Sequence, residues 1–322
     1  MQRQIIDWFK DFRCYKDMPP EEWNNIKTYY NSFFLSRKYP RFFQSYLYLK
    51  SERKYFFYGY LDDCFILIKK KKEFGQRVFY LVLPPISLSN NLHKELELIN
   101  SLRMQGVKTK ISDEDIQLYN ISKNLYSKDK DNIEHIYDPK HFIDLSKPTF
   151  FKFRYYFNKL NKYKEKDLLS ISISNKLSAD QISRADILTN NWNKYKKMHA
   201  DLCHHYFNDN NDNMYFEIIN KNNNVITSSI NEQIHPNHVL ITTNYSDYNY
   251  QFKDLQINKA IHCLMCKYWV DKIKYINSGS GGWDKTLTLH KRQLRPIKEL
   301  QIYDTKIENR ITEEEYQFLC KG

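Results

Sequence analysis

The sequence predicts an α+β protein of two units, each a mixed, mostly antiparallel sheet flanked by helices. Three observations carry this. The chain has 322 residues, more than one small core organises, so two domains are expected. It is 41% hydrophobic and 16% aromatic, with 26 Tyr, 20 Phe and 5 Trp. That load excludes wholesale disorder even though the mean hydropathy is −0.72. Runs rich in β-branched and aromatic residues sit between segments of helical period, first as a meander and again after residue 165.

In chain order, Pro19 and Pro20 ahead of Glu21-Glu22-Trp23 mark a helix start, because proline in the first turn lacks only an N–H that the helix does not use. Strands are expected at Ser45–Leu49, Lys54–Leu61, Cys64–Ile68 and Arg77–Leu83, with Asp62-Asp63 as the tight turn between the second and third. Leu96, Leu98, Ile99 and Leu102 give a helix over Leu92–Met104. A basic aromatic helix, Phe150–Tyr163, joins the units and interleaves Phe151, Phe153, Tyr155, Tyr156 and Phe157 with Lys152, Arg154, Lys159 and Lys162. That pattern suits phosphate or base contacts, with Lys152 and Arg154 as the contact residues. It equally suits a helix wedged between domains whose lysines reach out to water. The units are divided at 1–165 and 166–322.

The second unit opens with a strand at Leu168–Ile173. Ser178-Ala-Asp-Gln181 then has capping-box form before a helix running to Met198. Strands are expected at Met214–Ile219, Val225–Ile230 and Val239–Thr243. Asp254 is read as the cap of an amphipathic helix carrying Ile257, Ala260, Ile261, Leu264, Met265, Tyr268 and Trp269 on one face. Strand Ile273–Asn277, a glycine loop, helix Asp284–Gln293 and strand Leu300–Asp304 follow. The order is strand, two helices, three strands, helix, strand, helix, strand, with no internal repeat visible in the residues.

Fifty Lys and Arg against 38 Asp and Glu give a net charge of +12. Such a surplus suits an anionic partner, tRNA or DNA above all, or a phosphorylated ligand or membrane surface. The abundance of Lys, Asn, Ile and Tyr also fits an A/T-biased coding sequence, and the basic clusters are scattered, so any binding surface must be assembled by folding. No apolar run nears the ~18 residues of a membrane span, and the first 17 residues lack a signal peptide's apolar stretch. A cytoplasmic protein without integral membrane association is expected. Of six cysteines only Cys263 and Cys266 are close, with no second Cys or His pair at zinc spacing. His204 and His205 are adjacent, and helical neighbours diverge by roughly 100°, so no metal is expected.

Three of only seven glycines fall in Gly279-Ser280-Gly281-Gly282, after an expected strand and before a helix. Such a loop presents amide N–H groups and a helix N-terminus to an anion or developing oxyanion; it can also be a tight strand-to-helix turn. It is not a P-loop, since Asp284 stands where the second glycine belongs and would repel phosphate. Nor is it a hydrolase elbow, since Gly279-Ser280-Gly281 lacks both spacer residues. Ser278, Gly279, Ser280, Gly281, Gly282, Trp283 and Lys285 are the candidate substrate-binding residues here. Asp284, His290 and Lys291 are the candidates for proton transfer and cationic stabilisation.

The run from Ile276 through the glycine loop to Lys291 and Pro296 resembles the closing segment of aminoacyltransferases built on the acetyltransferase (GNAT) fold. The pattern is that of the C-terminal catalytic region of phosphatidylglycerol lysyltransferases, which are related to the Fem peptidoglycan aminoacyltransferases. There, a small-residue loop after a strand leads to a helix whose lysine precedes a proline by a few residues. Ile136-Tyr-Asp, Ile143-Asp-Leu-Ser-Lys147 and Lys152-Phe-Arg154 through Asn158 resemble the family's interdomain segment, with Ser146 in place of its glycine and Tyr155-Tyr156-Phe157 intervening before Asn158.

The resemblance implies two tandem GNAT-like domains. It implies an acyltransferase moving an amino acid or similar small acyl group from a charged tRNA or other activated donor to an amine or hydroxyl on an anionic acceptor, a modified DNA base among them. Acetyl-CoA is disfavoured as donor, because the stretch Tyr248–Gln256 has no phosphate-binding glycine and Asp254 is expected at the helix mouth. A non-catalytic basic nucleic-acid-binding protein and an acetyl-CoA-dependent N-acetyltransferase are the alternatives.

Overall fold

The computed structural model describes residues 9, 11–51, 55–73, 76–142, 150–197, 202–247, 252–282 and 284–305. The first half contains β1 (Arg13–Cys14), α1 (Pro20–Ser36), α2 (Tyr46–Ser51), β2 (Phe56–Leu61), β3 (Cys64–Glu73) and β4 (Gln76–Leu81). It continues with β5 (Ile86–Ser87), α3 (Leu92–Met104), β6 (Lys108–Ser112), α4 (Asp113–Leu118) and β7 (Tyr126–Tyr137). The joining helix is α5 (Phe151–Glu165), followed by β8 (Leu169–Ser174), α6 (Ala179–Lys196), a 3-10 segment Cys203–Asp209, and β9 (Asn213–Asn220). Then come β10 (Val225–His235), β11 (His238–Ser246), α7 (Ile257–Trp269), β12 (Tyr275–Asn277), α8 (Lys285–Gln293) and β13 (Lys298–Thr305). No described helix is long and apolar enough to cross a membrane.

The described strands form one sheet in the order β1-β2-β3-β4-β6-β13-β7-β12-β11-β10-β9-β8, with β5 beside β3. This order contains a structural repeat. β2, β3 and β4 form an antiparallel meander, and β6 returns parallel to β4 after α3. β9, β10 and β11 do the same, and β12 returns parallel to β11 after α7. The final strands are then exchanged: β7 pairs with β12, β13 pairs with β6, and β7 and β13 pair with each other in the middle. The fold is therefore two GNAT-like halves, each a mixed and mostly antiparallel sheet completed by the other's last strand.

Burial follows the periodicity. Helix α1 places Trp23, Ile26, Tyr30 and Phe33 on one face, against Tyr46, Phe56 and Phe65. Each such side chain contributes about 2 kcal/mol by leaving water. Helix α7 buries Ile257, Ala260, Ile261, Cys263, Met265, Cys266 and Trp269 in the core of the second half.

Several elements depart from the sequence expectation. Ser45–Leu49 is not a strand: the segment winds into α2. The buried Glu232 carboxylate accepts from Ser45 Oγ at 2.6 Å and Tyr46 N at 2.8 Å, and Ser45 Oγ accepts from Tyr48 N at 3.0 Å. A carboxylate at a helix start, supplied from β10, outweighs the local alternation. Asp254 does not cap α7. Gln256 precedes that helix in the left-handed region (φ +43°), and Asp254 turns away to Lys159 and to Tyr163 Oη at 3.0 Å. Between β8 and β9 the described residues hold one α-helix and the 3-10 segment rather than two α-helices, and β6, α4 and β7 were not anticipated. Asp62 and Asp63 do make the left-handed turn, at φ +47° and +62°.

Candidate functional site

β11 and β12 pair only where His238–Leu240 face Tyr275–Asn277, and β12 then ends while β11 runs on. The β10–β11 register skips Thr242, with Ile230 opposite Thr243 and Asn231 opposite Ile241, and such a bulge bends β11. Beyond Asn277 the two strands part, and a cavity of about 640 Å³ occupies the gap. Residues 241–246 of β11 form one wall and Ser278–Gly282 with α8 the opposite one; His262 comes from α7, Trp192 and Lys196 from α6, and Phe42 and Tyr48 from the first half.

The loop is held from both halves. The Asn277 side chain donates to Glu134 at 2.6 Å and to the Pro40 carbonyl at 2.6 Å, and accepts from Gly279 N at 2.7 Å. Ser278 N donates to the His135 carbonyl and His135 N to the Gly279 carbonyl. Gly279 has φ +69°, and a Cβ there would lie 2.8 Å from the Phe42 ring. At Gly281 a Cβ would meet Thr288 Oγ1 at 2.0 Å, so only glycine lets the loop close onto α8. Gly279 N is engaged by Asn277, and Gly282 N has Ser280 Oγ at 3.3 Å. The amides of Ser280 and Gly281 meet no acceptor among the described residues. The oxyanion donors expected from four loop residues thus reduce to two.

Lys291 reaches back from α8 to the same loop. Its Nζ donates to the Ser278 carbonyl and, at 2.7 Å, to the Ser280 carbonyl. Two of the three N–H bonds of an ammonium hold the loop, leaving one for a ligand. Burial pushes this ammonium down to about 7, with Glu134 acting in the opposite sense. His290, also at the cavity, is pushed to about 4 by burial and by the charges of Lys259 and Lys291, so it is neutral near pH 7. Asp284 is the N-cap of α8, accepting from Thr286 N at 2.8 Å and Leu287 N at 3.1 Å, with Lys196 at 3.4 Å. Burial opposes its ionisation, but those amides and Lys196 hold its carboxyl below the usual range.

Other expected residues lie elsewhere. Lys285 is exposed at the start of α8, and Trp283 lies outside the described residues. Lys152 lines a separate basic opening of about 600 Å³ with Lys259, Arg292 and Arg295; the Arg154 guanidinium lies 5.8 Å from the Phe151 ring and is not in the lining of any of these openings. A small opening of about 170 Å³ at the N-terminus of α7 adjoins both, sharing Ser246, Asn258 and His290 with the main cavity and Lys259 with the basic one.

Sequence reading missed Phe42, Glu134, His135, Thr242, Asn244, His262 and Asn277. His262 was findable as a histidine on the apolar face of α7. It is pushed to about 3 by burial and packs edge-on against Tyr137 and Phe142.

Among the described residues, Asp186, His204 and His205 could hold a metal ion: one ligand atom from each lies within 4.8 Å of the others. The divergence expected of His204 and His205 does not occur, because both rings turn to the same Asp186 oxygen, at 2.9 and 2.8 Å, from a 3-10 segment.

No protein-family model and no curated protein matches the chain. Solved structures do. A conserved protein of unknown function from Bacteroides thetaiotaomicron is similar at 15% identity and a TM-score of 0.69, over 92% of this chain and 99% of that one. L-PGS from Bacillus licheniformis is similar at 11% identity and 0.62, over 90% and 94%. The C-terminal domain of an Agrobacterium fabrum chain named as a lysylphosphatidylglycerol synthetase is similar at 9% identity and 0.60, over 92% and 95%. The chain shares their fold. The likeness extends over nearly all of both molecules.

Proposed function

We propose that this chain is an acyltransferase that moves an amino acid or similar small acyl group from an activated, tRNA-type ester to an amine or hydroxyl on an anionic acceptor. One observation carries the reading: where β11 and β12 part, one cavity is lined by Ser280 and Gly281, whose amides are unengaged, and by Lys291, which has one N–H remaining. Donors fixed in this way before reaction favour a carbonyl oxygen that becomes negative. In the step, the acceptor's nitrogen or oxygen attacks the ester carbonyl, the new C–N or C–O bond forms, and the C–O bond to the ribose breaks. The proton lost by the nucleophile passes to the ribose oxygen, and neutral His290 stands at the cavity wall to relay it.

The tRNA-type donor is supported by the basic opening of Lys152, Lys259, Arg292 and Arg295, whose neighbour at the N-terminus of α7 shares Lys259 with it and His290 with the cavity. A phosphate chain on those cations would direct its acylated end inward. The neighbour named as a lysylphosphatidylglycerol synthetase agrees with aminoacyl chemistry on this fold. A DNA base bearing an amine is one acceptor compatible with the +12 charge.

A second reading, acetyl-CoA as donor, gains from one observation. With Asp254 turned to Lys159, no carboxylate from that residue opposes a pyrophosphate at the N-terminus of α7, where Lys259 lines the small opening.

The test is transfer of label to nucleic acid, lipid and peptide fractions from either a mixture of labelled aminoacyl-tRNAs or labelled acetyl-CoA, read by the added acyl mass. Label from aminoacyl-tRNA supports the proposal, and label from acetyl-CoA alone replaces it with the second reading. No transfer, together with nucleic-acid binding that falls steeply with salt, would make the chain a basic binding protein instead.

A further inference from the structure

We infer that the acyl group taken by the cavity between β11 and β12 is an α-amino acid with an uncharged side chain, its amino group read by Thr242 and Asn244; this rests on the acyltransferase reading above. The argument is an inventory of charge and of unmet hydrogen bonds. Among the described residues Asp284 is the only carboxylate on the cavity lining, and it is engaged by two backbone N–H groups of α8 and by Lys196. Lys196 is therefore partnered as well, and Lys291 holds two loop carbonyls, its third N–H being the one assigned above to the reacting carbonyl oxygen. The two histidines, His262 and His290, are neutral near pH 7. A lysyl or arginyl side chain would enter without a free carboxylate, and an aspartyl or glutamyl side chain without a free cation. Either would lose hydration that no described residue of the wall replaces.

What the lining does offer is aromatic surface and three buried neutral oxygens without a partner among the described residues, Thr242 Oγ1 and Asn244 Oδ1 on β11 and Ser278 Oγ on the opposite wall. Phe42 and Tyr48 pack at 4.8 Å between ring centroids, Trp192 and Tyr245 at 5.0 Å, and all four face the cavity. Thr242 Oγ1 and Asn244 Oδ1 are buried and have no hydrogen-bond partner among the described residues. Thr242 is 8% exposed and sits at the bulge that aims β11 into the gap. Buried oxygens without partners are uncommon in folded proteins. Two of them on one cavity wall match a ligand that brings N–H donors, which an α-amino group does and an acetyl group does not.

The test uses adenosine analogues in which a 3′-amino group carries the acyl chain through a stable amide, titrated calorimetrically into the full chain. Phenylalanyl and leucyl analogues are expected to bind at least tenfold tighter than lysyl and glutamyl ones, and tenfold tighter than the phenylpropionyl analogue, which lacks only the α-amino group. Asn244→Leu should remove most of the preference for phenylalanyl over phenylpropionyl. A lysyl or glutamyl analogue that binds as well as the phenylalanyl one overturns the inference while the donor reading stands. Equal binding of phenylpropionyl, or a preference untouched by Asn244→Leu, overturns the amino-group assignment. Failure of every analogue to bind removes the aminoacyl donor itself, and the inference falls with it.

Discussion

Replacing Lys291 by Met removes a charge from the cavity wall and keeps the length of the chain. In the folded protein this lysine titrates at about 7 instead of the usual 10.5. When it is fully protonated, that difference weighs against folding by about 5 kcal/mol. Between pH 7 and 10.5 the unfolded chain still holds a proton that the folded chain has released, so stability rises with pH through that window. Below pH 7 the penalty is present in full. The linkage expression puts it at about 4 kcal/mol at pH 7 and about 2 kcal/mol at pH 9. The wild type should therefore gain about 2 kcal/mol over Lys291→Met between those two pH values, as read by urea unfolding of both proteins. Turnover should move the other way: transfer by the wild type declines as pH passes 7 and the ammonium is lost, while Lys291→Met is inactive throughout. Parallel stability curves for the two proteins would refute a buried, easily deprotonated lysine. Full transfer by the variant would refute its role at the carbonyl oxygen.

Gly281→Ala would drive a methyl to 2.0 Å from Thr288 Oγ1 and 2.7 Å from Thr288 N. A loss of about 2 kcal/mol in denaturant unfolding is expected, only partly recovered by adding Thr288→Ala because the backbone contact remains. Glu134→Gln would turn an amide N–H₂ toward Arg41, Phe42 N and the Asn277 side chain, all of which donate to this carboxylate. Unfolding should become easier by about 3 kcal/mol, and transfer should fall further than Asn277→Ala alone would reduce it.

What could be read from the residues was what neighbouring residues determine. The helix at Leu92–Met104 and the capping box of Ser178 and Gln181 are written within four residues of where they act. α2 could not be read this way, because its cap is Glu232, 186 residues from Tyr46. β7 eluded the pattern for another reason. After the buried Tyr126, the run Ser-Lys-Asp-Lys-Asp-Asn alternates charges on a mostly exposed stretch, and burial resumes only in the last four residues. At the site, the glycine loop, His290 and Lys291 announced themselves by composition and spacing. Phe42, Glu134 and His135 did not, since the chain must fold before residues 134 and 279 meet. Asp254 misled because a good N-cap residue found a better partner in Lys159.

The exchange of final strands explains why the cavity belongs to neither half alone. β12 is three residues long, too short to hold a loop rigidly by its own ladder, and it is flanked by β11 on one side and β7 on the other. β7 supplies Glu134 and His135, whose side chain and backbone fix Asn277, Ser278 and Gly279. Glu134 is in turn held by Arg41, which shares Asp115 with Arg37 in a buried charged cluster of the first half. A loop that must present amides without reorganising needs such stiffness, because an oxyanion gains from donors that are already in place. In the proposed function the first half, with its core of Trp23, Tyr30 and Phe65, thus serves chiefly as an anchor. It also adds Phe42 and Tyr48 as one aromatic wall of the cavity.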